Sequence, residues 1–174
     1  MTATVAIPTL ETARLGLRVL RFADFDAYRK NLTSDRARFM EPGLTEKGAW
    51  SFFTSDVAHW TLFGFGTLMI EHRDSGETMG AVGISSGPLF PEIEIGWVLY
   101  DGAEGRGYAT EAAGALRAWA YGSGQVGGLV SYIDPANAAS IRVAERLGAV
   151  PDADAPRPDP EDLVYRHPSP EALQ

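Results

Sequence analysis

One stretch near the middle of the chain joins an apolar strand to an alanine-rich helix through a loop rich in glycine. It reads YDGAEGRGYATEA and covers residues 100–112. Glycine lets a backbone turn tightly and approach a ligand closely. The helix that follows begins with unpaired N–H groups and a partial positive charge. The stretch therefore predicts a cradle for an anion such as a phosphate or pyrophosphate, although the same joint also occurs as a plain structural turn.

The charge balance and the lack of cysteine exclude several classes of protein. Acidic residues outnumber basic ones by 23 to 15, which gives a formal net charge of −8. Broad nucleic-acid binding needs a basic face, so we expect no nucleic-acid partner. A chain without cysteine has no disulfide, zinc–thiolate site or cysteine nucleophile. His59, His72 and His167 are too scattered for metal-ligand spacing, so no metal is expected.

Length and hydrophobicity are those of a globular protein with one domain. The chain has 174 residues, of which 45% are hydrophobic, and this predicts one domain over 1–174. The acidic, proline-rich segment 151–162 is predicted to be a surface loop. The first residues do not resemble a signal peptide, and the longest uncharged stretch, 118–133, is shorter than the roughly 20 residues of a membrane span. We therefore expect a cytoplasmic protein with no membrane partner.

The hydrophobic pattern predicts a mostly antiparallel first half and a strand–helix–strand second half. Predicted strands cover 14–18, 66–73, 78–85, 92–100, 128–133 and 163–167, and predicted helices cover 24–32, 46–61, 109–121 and 137–147, with residues 1–12 as a loose arm. In the second helix the aromatic and branched residues that recur at helical spacing are predicted to face the core. They are Trp50, Phe53, Val57 and Trp60. This order favours an α+β protein with one mixed, twisted sheet.

Four segments, in the same order, resemble the GCN5-related N-acetyltransferase superfamily. The family's loop pattern, Gln/Arg-x-x-Gly-x-Gly/Ala, falls on Glu104, Gly107 and Ala109. The other three segments are TARLGLR at 12–18, EIGW at 94–97, and NAAS at 137–140 followed by ERLG at 145–148. The resemblance covers about residues 12–150 and is closest to the branch that contains the ribosomal-protein alanine acetyltransferases. One departure is Glu104, where the family has Gln or Arg. We expect this carboxylate to point outward or to be offset by Arg106.

The resemblance implies the acyl-CoA N-acyltransferase fold and acetyl-CoA as the cosubstrate. In that family the pantetheine arm pairs with the backbone of one strand, here Trp97, Val98 and Leu99. The loop amides that would hold the pyrophosphate are those of Gly105, Arg106, Gly107, Tyr108, Ala109 and Thr110. Asn137 would contact the pantetheine or adenosine side while also capping its helix. The implied partner is an amine, either a small molecule or a protein N-terminus, and a homodimer is compatible with the family.

Acetyl transfer to an amine implies a base, because most amines are protonated at neutral pH. Glu92 and Glu94 lie two apart on a strand and share a face, and Glu94 matches the family position better. Both acids could instead be solvated strand residues. Ser140 is the candidate proton donor to the leaving thiolate, with Tyr132 and Tyr165 in reserve, although a thiolate can leave without an acid. The acceptor is expected to enter from the side built by residues 22–61.

Two other functions remain open from the sequence. A non-catalytic acyl-CoA-binding or regulatory domain would share the fold and the cradle. The run GISSG at 83–87 matches the Gly-x-Ser-x-Gly motif of serine hydrolases, with Ser85 as the nucleophile. That motif needs a helix directly after the serine, whereas here Pro88, Pro91 and a predicted strand follow.

Overall fold

The computed structural model describes residues 6–173, which form an eight-stranded sheet and four α-helices. The strands are β1 (Leu10–Glu11), β2 (Leu15–Val19), β3 (Thr67–His72), β4 (Thr78–Ser85), β5 (Glu94–Leu99), β6 (Val130–Ile133), β7 (Val150–Pro151) and β8 (Leu163–Arg166). The helices are α1 (Phe25–Leu32), α2 (Glu46–Phe63), α3 (Tyr108–Gly122) and α4 (Ala138–Arg146). Short 3₁₀ turns lie at Phe22–Asp24, Asp35–Ala37 and Glu171–Leu173.

The sheet is mixed and mostly antiparallel, which confirms the predicted fold class. Its strand order is β1-β2-β3-β4-β5-β6-β8-β7, and β5 and β6 form the parallel pair. That pair meets at Glu94 and Val130, where the Val130 N–H donates to the Ile93 carbonyl over 3.0 Å. One residue further on, the hydroxyl of Ser131 donates to the Ile95 carbonyl over 2.6 Å. A side chain thus stands between the strands, and beyond it β5 and β6 separate.

One face of the sheet packs against α3 and forms the main core. The fully buried side chains of this core include Leu15, Leu68, Val82, Ile95 and Leu116. The rest of α3 adds alanines, whose small side chains let the helix lie close to the sheet. The opposite face carries α1 and α2, and it is on this side that the sheet leaves space for a cavity.

The predicted inner face of α2 is partly wrong. Phe53 and Trp60 are buried, but Trp50 is 43% exposed and Val57 is 38% exposed. Trp50 instead packs edge-on against Phe25, 5.0 Å between ring centroids, at the outer end of the helix. The buried face of α2 is offset from the predicted apolar stripe because polar residues of this helix also face the sheet.

A further prediction, about the start of the chain, is corrected. Residues 1–5 of the predicted loose arm lie outside the described residues, but Leu10 and Glu11 form an edge strand that pairs with Leu17 and Gly16. The segment 151–162 does connect two strands at the surface. It folds around Arg157, whose guanidinium donates to the carbonyls of Ala153, Ala155 and Asp162.

Candidate active site

A cavity of about 510 Å³ opens where β5 and β6 separate. Its lining includes five of the residues that the sequence singled out: Glu94, Trp97, Val98, Asn137 and Ser140. The lining does not include Leu99 or the loop 105–110, which lies further along the same side of β5. The carbonyl of Leu99 accepts a hydrogen bond from Arg36 over 3.1 Å. The candidate catalytic residues therefore share one cavity, and the candidate pyrophosphate loop lies outside it.

Glu94 lies at the first residue of β5, directly where the two strands part. Burial raises the pKa of its carboxyl from 4.5 to about 7, with further increases from the charges of Asp162 and Asp56. The backbone N–H of Tyr132 opposes this by lowering the pKa. A carboxyl that titrates near pH 7 can accept a proton from an amine and release it again to solvent.

Glu92, the alternative base, has a different environment. Its two carboxylate oxygens accept from Nη1 and Nη2 of Arg166, each over 2.9 Å. Arg166 also binds Asp152 over 2.7 Å. This ion pair is the first cause that lowers the pKa of Glu92, so the carboxylate stays charged and bound. Glu92 joins the start of β5 to β8, which is a structural role.

The helix α4 brings two candidate residues to the cavity wall opposite β5. Asn137 is its N-cap, and its Oδ1 accepts from the N–H of Ser140 over 3.1 Å. Both side chains line the cavity, as does Tyr132 on β6, whose hydroxyl accepts from the N–H of Glu92 over 3.0 Å. Tyr165 is buried in a cluster with Ile133 and is not part of the lining. Of the two reserve proton donors, only Tyr132 is placed to act.

The glycine loop has the geometry of an anion cradle. Gly105 and Gly107 have φ of +74° and +81°, a region that favours glycine. The first hydrogen bond of α3 runs from the N–H of Glu111 to the Gly107 carbonyl over 3.0 Å. The backbone N–H groups of the turn before Glu111 therefore have no partner within the helix. The hydroxyl oxygen of Thr110 is buried and has no hydrogen-bond partner. Free amides and an unpaired hydroxyl at a helix N-terminus fit a pyrophosphate.

Arg14 on the segment before β2 holds this loop in place. Its guanidinium donates to the Arg106 carbonyl over 2.8 Å, and it pairs with Glu111 in the first turn of α3. The same guanidinium lies 4.7 Å from the ring centroid of Tyr108. The side chains of Tyr108 and Ala109 are buried, so these residues offer a ligand their backbone only. Arg106 is exposed, and its side chain is free to reach an anion.

The acid at position 104, the departure from the family pattern, has a basic partner. The carboxylate of Glu104 forms an ion pair with Arg36, which comes from the 3₁₀ turn after α1. Arg36 also contacts Asp101 over 3.3 Å. The expectation that Arg106 offsets this charge is therefore wrong in its choice of arginine. Arg36 lies far away in sequence, and no local pattern indicated the pairing.

Sequence analysis also missed a second acid in the cavity, Asp56 on α2. The hydroxyl of Tyr28 donates to Asp56 Oδ2 over 2.7 Å. Burial raises the pKa of Asp56, although hydrogen bonds from Tyr28 and Thr67 oppose the change. His59, one turn further along α2, contacts the carbonyls of Ser55 and Ser86 with its two ring nitrogens. Both residues line the cavity.

The structure also bears on three other features considered from the sequence: a hydrolase motif, a metal site and a membrane span. Ser85 ends β4, and the irregular segment 86–93 leads from it to β5 with no helix, so the strand–elbow–helix context of a hydrolase is missing there. Within residues 6–173 no three His, Cys, Asp or Glu side chains gather as a metal site would require. None of the helices described is long and apolar enough to cross a membrane.

Comparison with known proteins identifies the family. A solved acetyltransferase from Agrobacterium tumefaciens str. C58 is 50% identical, with a TM-score of 0.91 over 97% of this chain and 99% of that one. The ribosomal L7/L12 alpha-N-protein acetyltransferase RimL, solved with coenzyme A, shares the fold at 16% identity, with a TM-score of 0.75 over 95% of this chain and 99% of that one. YkkB of Bacillus subtilis (strain 168), described as uncharacterized, is 36% identical over 88 residues. Those residues are 49% of this chain and 51% of YkkB, so the match spans about half of that relative. Residues 14–150 match the family model of the acetyltransferase (GNAT) domain, and the chain belongs to this family.

Proposed function

We propose that this protein transfers the acetyl group of acetyl-CoA to a primary amine by direct attack in a ternary complex. The observation that carries the proposal is the position of Glu94. Its carboxyl, with a pKa of about 7, lies in the cavity where β5 and β6 part, which is where the resemblance to the family places the thioester. A base at this position can act on an amine that enters from the α1–α2 side.

Starting from the protonated amine, the nitrogen must lose two protons, and the thiolate must gain one. The protonated amine would lose a proton to the Glu94 carboxylate, directly or through water, and Glu94 would pass it to solvent. The neutral nitrogen would then attack the thioester carbonyl carbon, so that a C–N bond forms. The nitrogen would lose its second proton to water or to Glu94, deprotonated again by then, as the C–S bond breaks. A backbone N–H of β5 would stabilise the oxyanion. Ser140 would protonate the departing thiolate and recover its own proton from solvent.

The cosubstrate would lie along β5 and across the start of α3. The backbone of Trp97, Val98 and Leu99 would pair with the pantetheine arm, and the amides of residues 105–110 would hold the pyrophosphate. Arg36 supports this by neutralising Glu104 beside the loop. RimL, which shares the fold, was solved with coenzyme A. For the acceptor, a protein N-terminal α-amine is one candidate and a small amine is the other. The cytoplasmic location and assembly as a homodimer stay predictions.

Calorimetry followed by turnover tests the proposal. We expect saturable binding of acetyl-CoA at micromolar concentration, with CoA and ATP as comparison ligands. We expect Glu94→Gln to bind acetyl-CoA normally and to lose about 10²- to 10⁴-fold in kcat, the usual contribution of a general base. Glu92→Gln is the matched control two residues away and should keep its kcat. Binding without turnover on any amine would favour the non-catalytic acyl-CoA-binding function instead.

Ser140→Ala provides a separate test of the proton donor. We expect about a tenfold lower kcat with an unchanged KM for acetyl-CoA, because Ser140 acts on the leaving group rather than on binding. An unchanged kcat would mean that the thiolate leaves without an acid.

A further inference from the structure

The cavity is strongly acidic, and this restricts what can enter it. Its lining contains four carboxyl side chains and, among residues 6–173, neither lysine nor arginine. The four are Asp56, Glu94, Asp134 and Asp162. A substrate that carried a carboxylate or phosphate beside its amine would meet no lysine or arginine here, and both ring nitrogens of the lining residue His59 already contact carbonyls. The acceptor half therefore favours a molecule whose charges are all positive.

Asp56 is fixed on the wall of the cavity opposite Glu94. Tyr28 donates to it from α1, and the side chain of Thr67 on β3 lies close enough to lower its pKa. Thr67 is itself held, because the indole N–H of the buried Trp60 donates to its carbonyl over 2.9 Å. These contacts orient the carboxyl without a lysine or arginine partner, and a cation that entered the cavity would supply the opposite charge.

Asn31 adds a second unused acceptor on the same wall. It follows Tyr28 by three residues on α1, so the two side chains lie on one helix face. Asn31 lines the cavity and is 7% exposed, yet its Oδ1 has no hydrogen-bond partner. A buried carboxamide oxygen without a donor is costly, and a substrate N–H would satisfy it.

The register of the sheet gives the distance between the two acids. Thr67 pairs with Gly83, and Gly83 pairs with Gly96, so two strand spacings separate Thr67 from Gly96, about 10 Å. Asp56 lies close to Thr67, and Glu94 Oε1 lies 3.9 Å from where a Cβ on Gly96 would stand. No other atom lies within 4 Å of that Cβ position, so the floor beside Glu94 is open. The two carboxyl groups therefore stand on the order of 10 Å apart across a floor of glycine.

We propose that the acceptor is a small diamine, whose reacting amine lies at Glu94 and whose second, cationic nitrogen is bound by Asp56 and Asn31. This rests on the proposed function, because it names the substrate class of the same site. An alkyl chain of four or so carbons would cross the glycine floor between the two acids. Asp56 is here a binding residue that selects the acceptor, and Glu94 keeps its role as base.

The test compares 1,4-diaminobutane with 1-aminobutane, which differ only in the second nitrogen. We expect the wild-type protein to acetylate the diamine with a kcat/KM about 10- to 100-fold higher, the value of one hydrogen-bonded charge. Asp56→Asn keeps the shape of the side chain and is expected to remove this preference, so that in this variant kcat/KM for 1,4-diaminobutane is about the same as for 1-aminobutane. Asp26→Asn is the matched control on α1, where the side chain is 92% exposed, and should keep the preference.

The outcomes separate this inference from the proposed function. Equal use of the two amines by the wild type, or an equal loss for both in Asp56→Asn, would overturn the diamine assignment and leave acetyl transfer intact. Preference for a peptide that begins with alanine would do the same. If no amine is acetylated, calorimetry with 1,4-diaminobutane decides. Binding that Asp56→Asn weakens supports the subsite although the proposed function has failed, and no binding overturns the subsite.

Discussion

Replacing Glu94 by glutamine is expected to stabilise the folded protein at pH 8 although it removes the proposed base. The pKa of Glu94 is about 7 in the folded protein against an ordinary value of 4.5. Between these pH values the folded state binds more protons than the unfolded chain, so stability falls as pH rises. The stability from this group is full below about pH 4.5 and is lost as pH rises through about 7. The difference corresponds to roughly 3 kcal/mol at pH 8.

The buried His167 acts in the opposite direction over a similar pH range. Its pKa is lowered from 6.5 to about 4, first by burial and then by the charge of Arg117. Its folded state binds fewer protons than the unfolded chain in that range, so stability is lost as pH falls through about 4. The two slopes nearly cancel in the wild-type protein. Only a difference between variants reveals the contribution of Glu94.

Urea unfolding at pH 5, 6, 7 and 8 measures that difference. The four tryptophans provide the fluorescence signal. We expect the free energy of unfolding of Glu94→Gln, minus that of the wild type, to grow by roughly 2.5 kcal/mol from pH 5 to pH 8. Glu92→Gln should instead lower stability at neutral pH, because it removes a bound carboxylate whose pKa is lowered. A pH-independent difference for Glu94→Gln would refute the reasoning and leave Glu94 as an ordinary solvated acid.

Three further substitutions test the loop and the core. Arg36→Ala leaves Glu104 unpaired beside the pyrophosphate loop, so calorimetry should show about tenfold weaker acetyl-CoA binding, and adding Glu104→Gln should restore it. Failure of that rescue would contradict the role given to the ion pair. Gly107→Ala is expected to cost about 1–2 kcal/mol in urea unfolding, because φ there is +81° while the nearest atom to a new Cβ, on Arg14, is 3.4 Å away. His167→Ala removes the partner that Arg117 contacts over 3.2 Å and should lower the unfolding free energy by about 1–3 kcal/mol.

Features set by neighbouring residues could be predicted from the sequence. Asn137 lies three residues before Ser140, and the cap that this spacing predicts is present. Gly105 and Gly107 have the positive φ values that a tight loop before a helix requires. The order of the six longer strands and of the helices also follows, because periodicity is a local property, whereas the two-residue strands β1 and β7 were not predicted. Bounds differ by a few residues, as at β5, which begins at Glu94 rather than at Glu92.

Features set by contacts between distant segments could not be predicted. Arg36 pairs with Glu104 across the interval between α1 and the glycine loop. Tyr28 and Asp56 meet only because α1 packs on α2. Each of these residues is an ordinary surface type, and charged side chains are mostly exposed. Nothing in the local pattern distinguishes them from solvated neighbours.

The error on α2 shows where such hidden residues are to be found. An apolar stripe through Trp50, Phe53, Val57 and Trp60 fits helical spacing, but the buried face includes His59, and Asp56 on the same side lines the cavity. Polar residues on an inner face interrupt the hydrophobic pattern. The apolar side chains beside them then suggest a buried face that is rotated from the real one. Violations of this kind are expected at functional sites. Glu94 shows the same conflict on β5, since its burial reduces stability at the pH where a base is needed. Asp56 and Glu94 each interrupt the hydrophobic pattern of the element that carries them, and both face one glycine-floored cavity. The proposed diamine accounts for both, because it would place a positive charge at each acid.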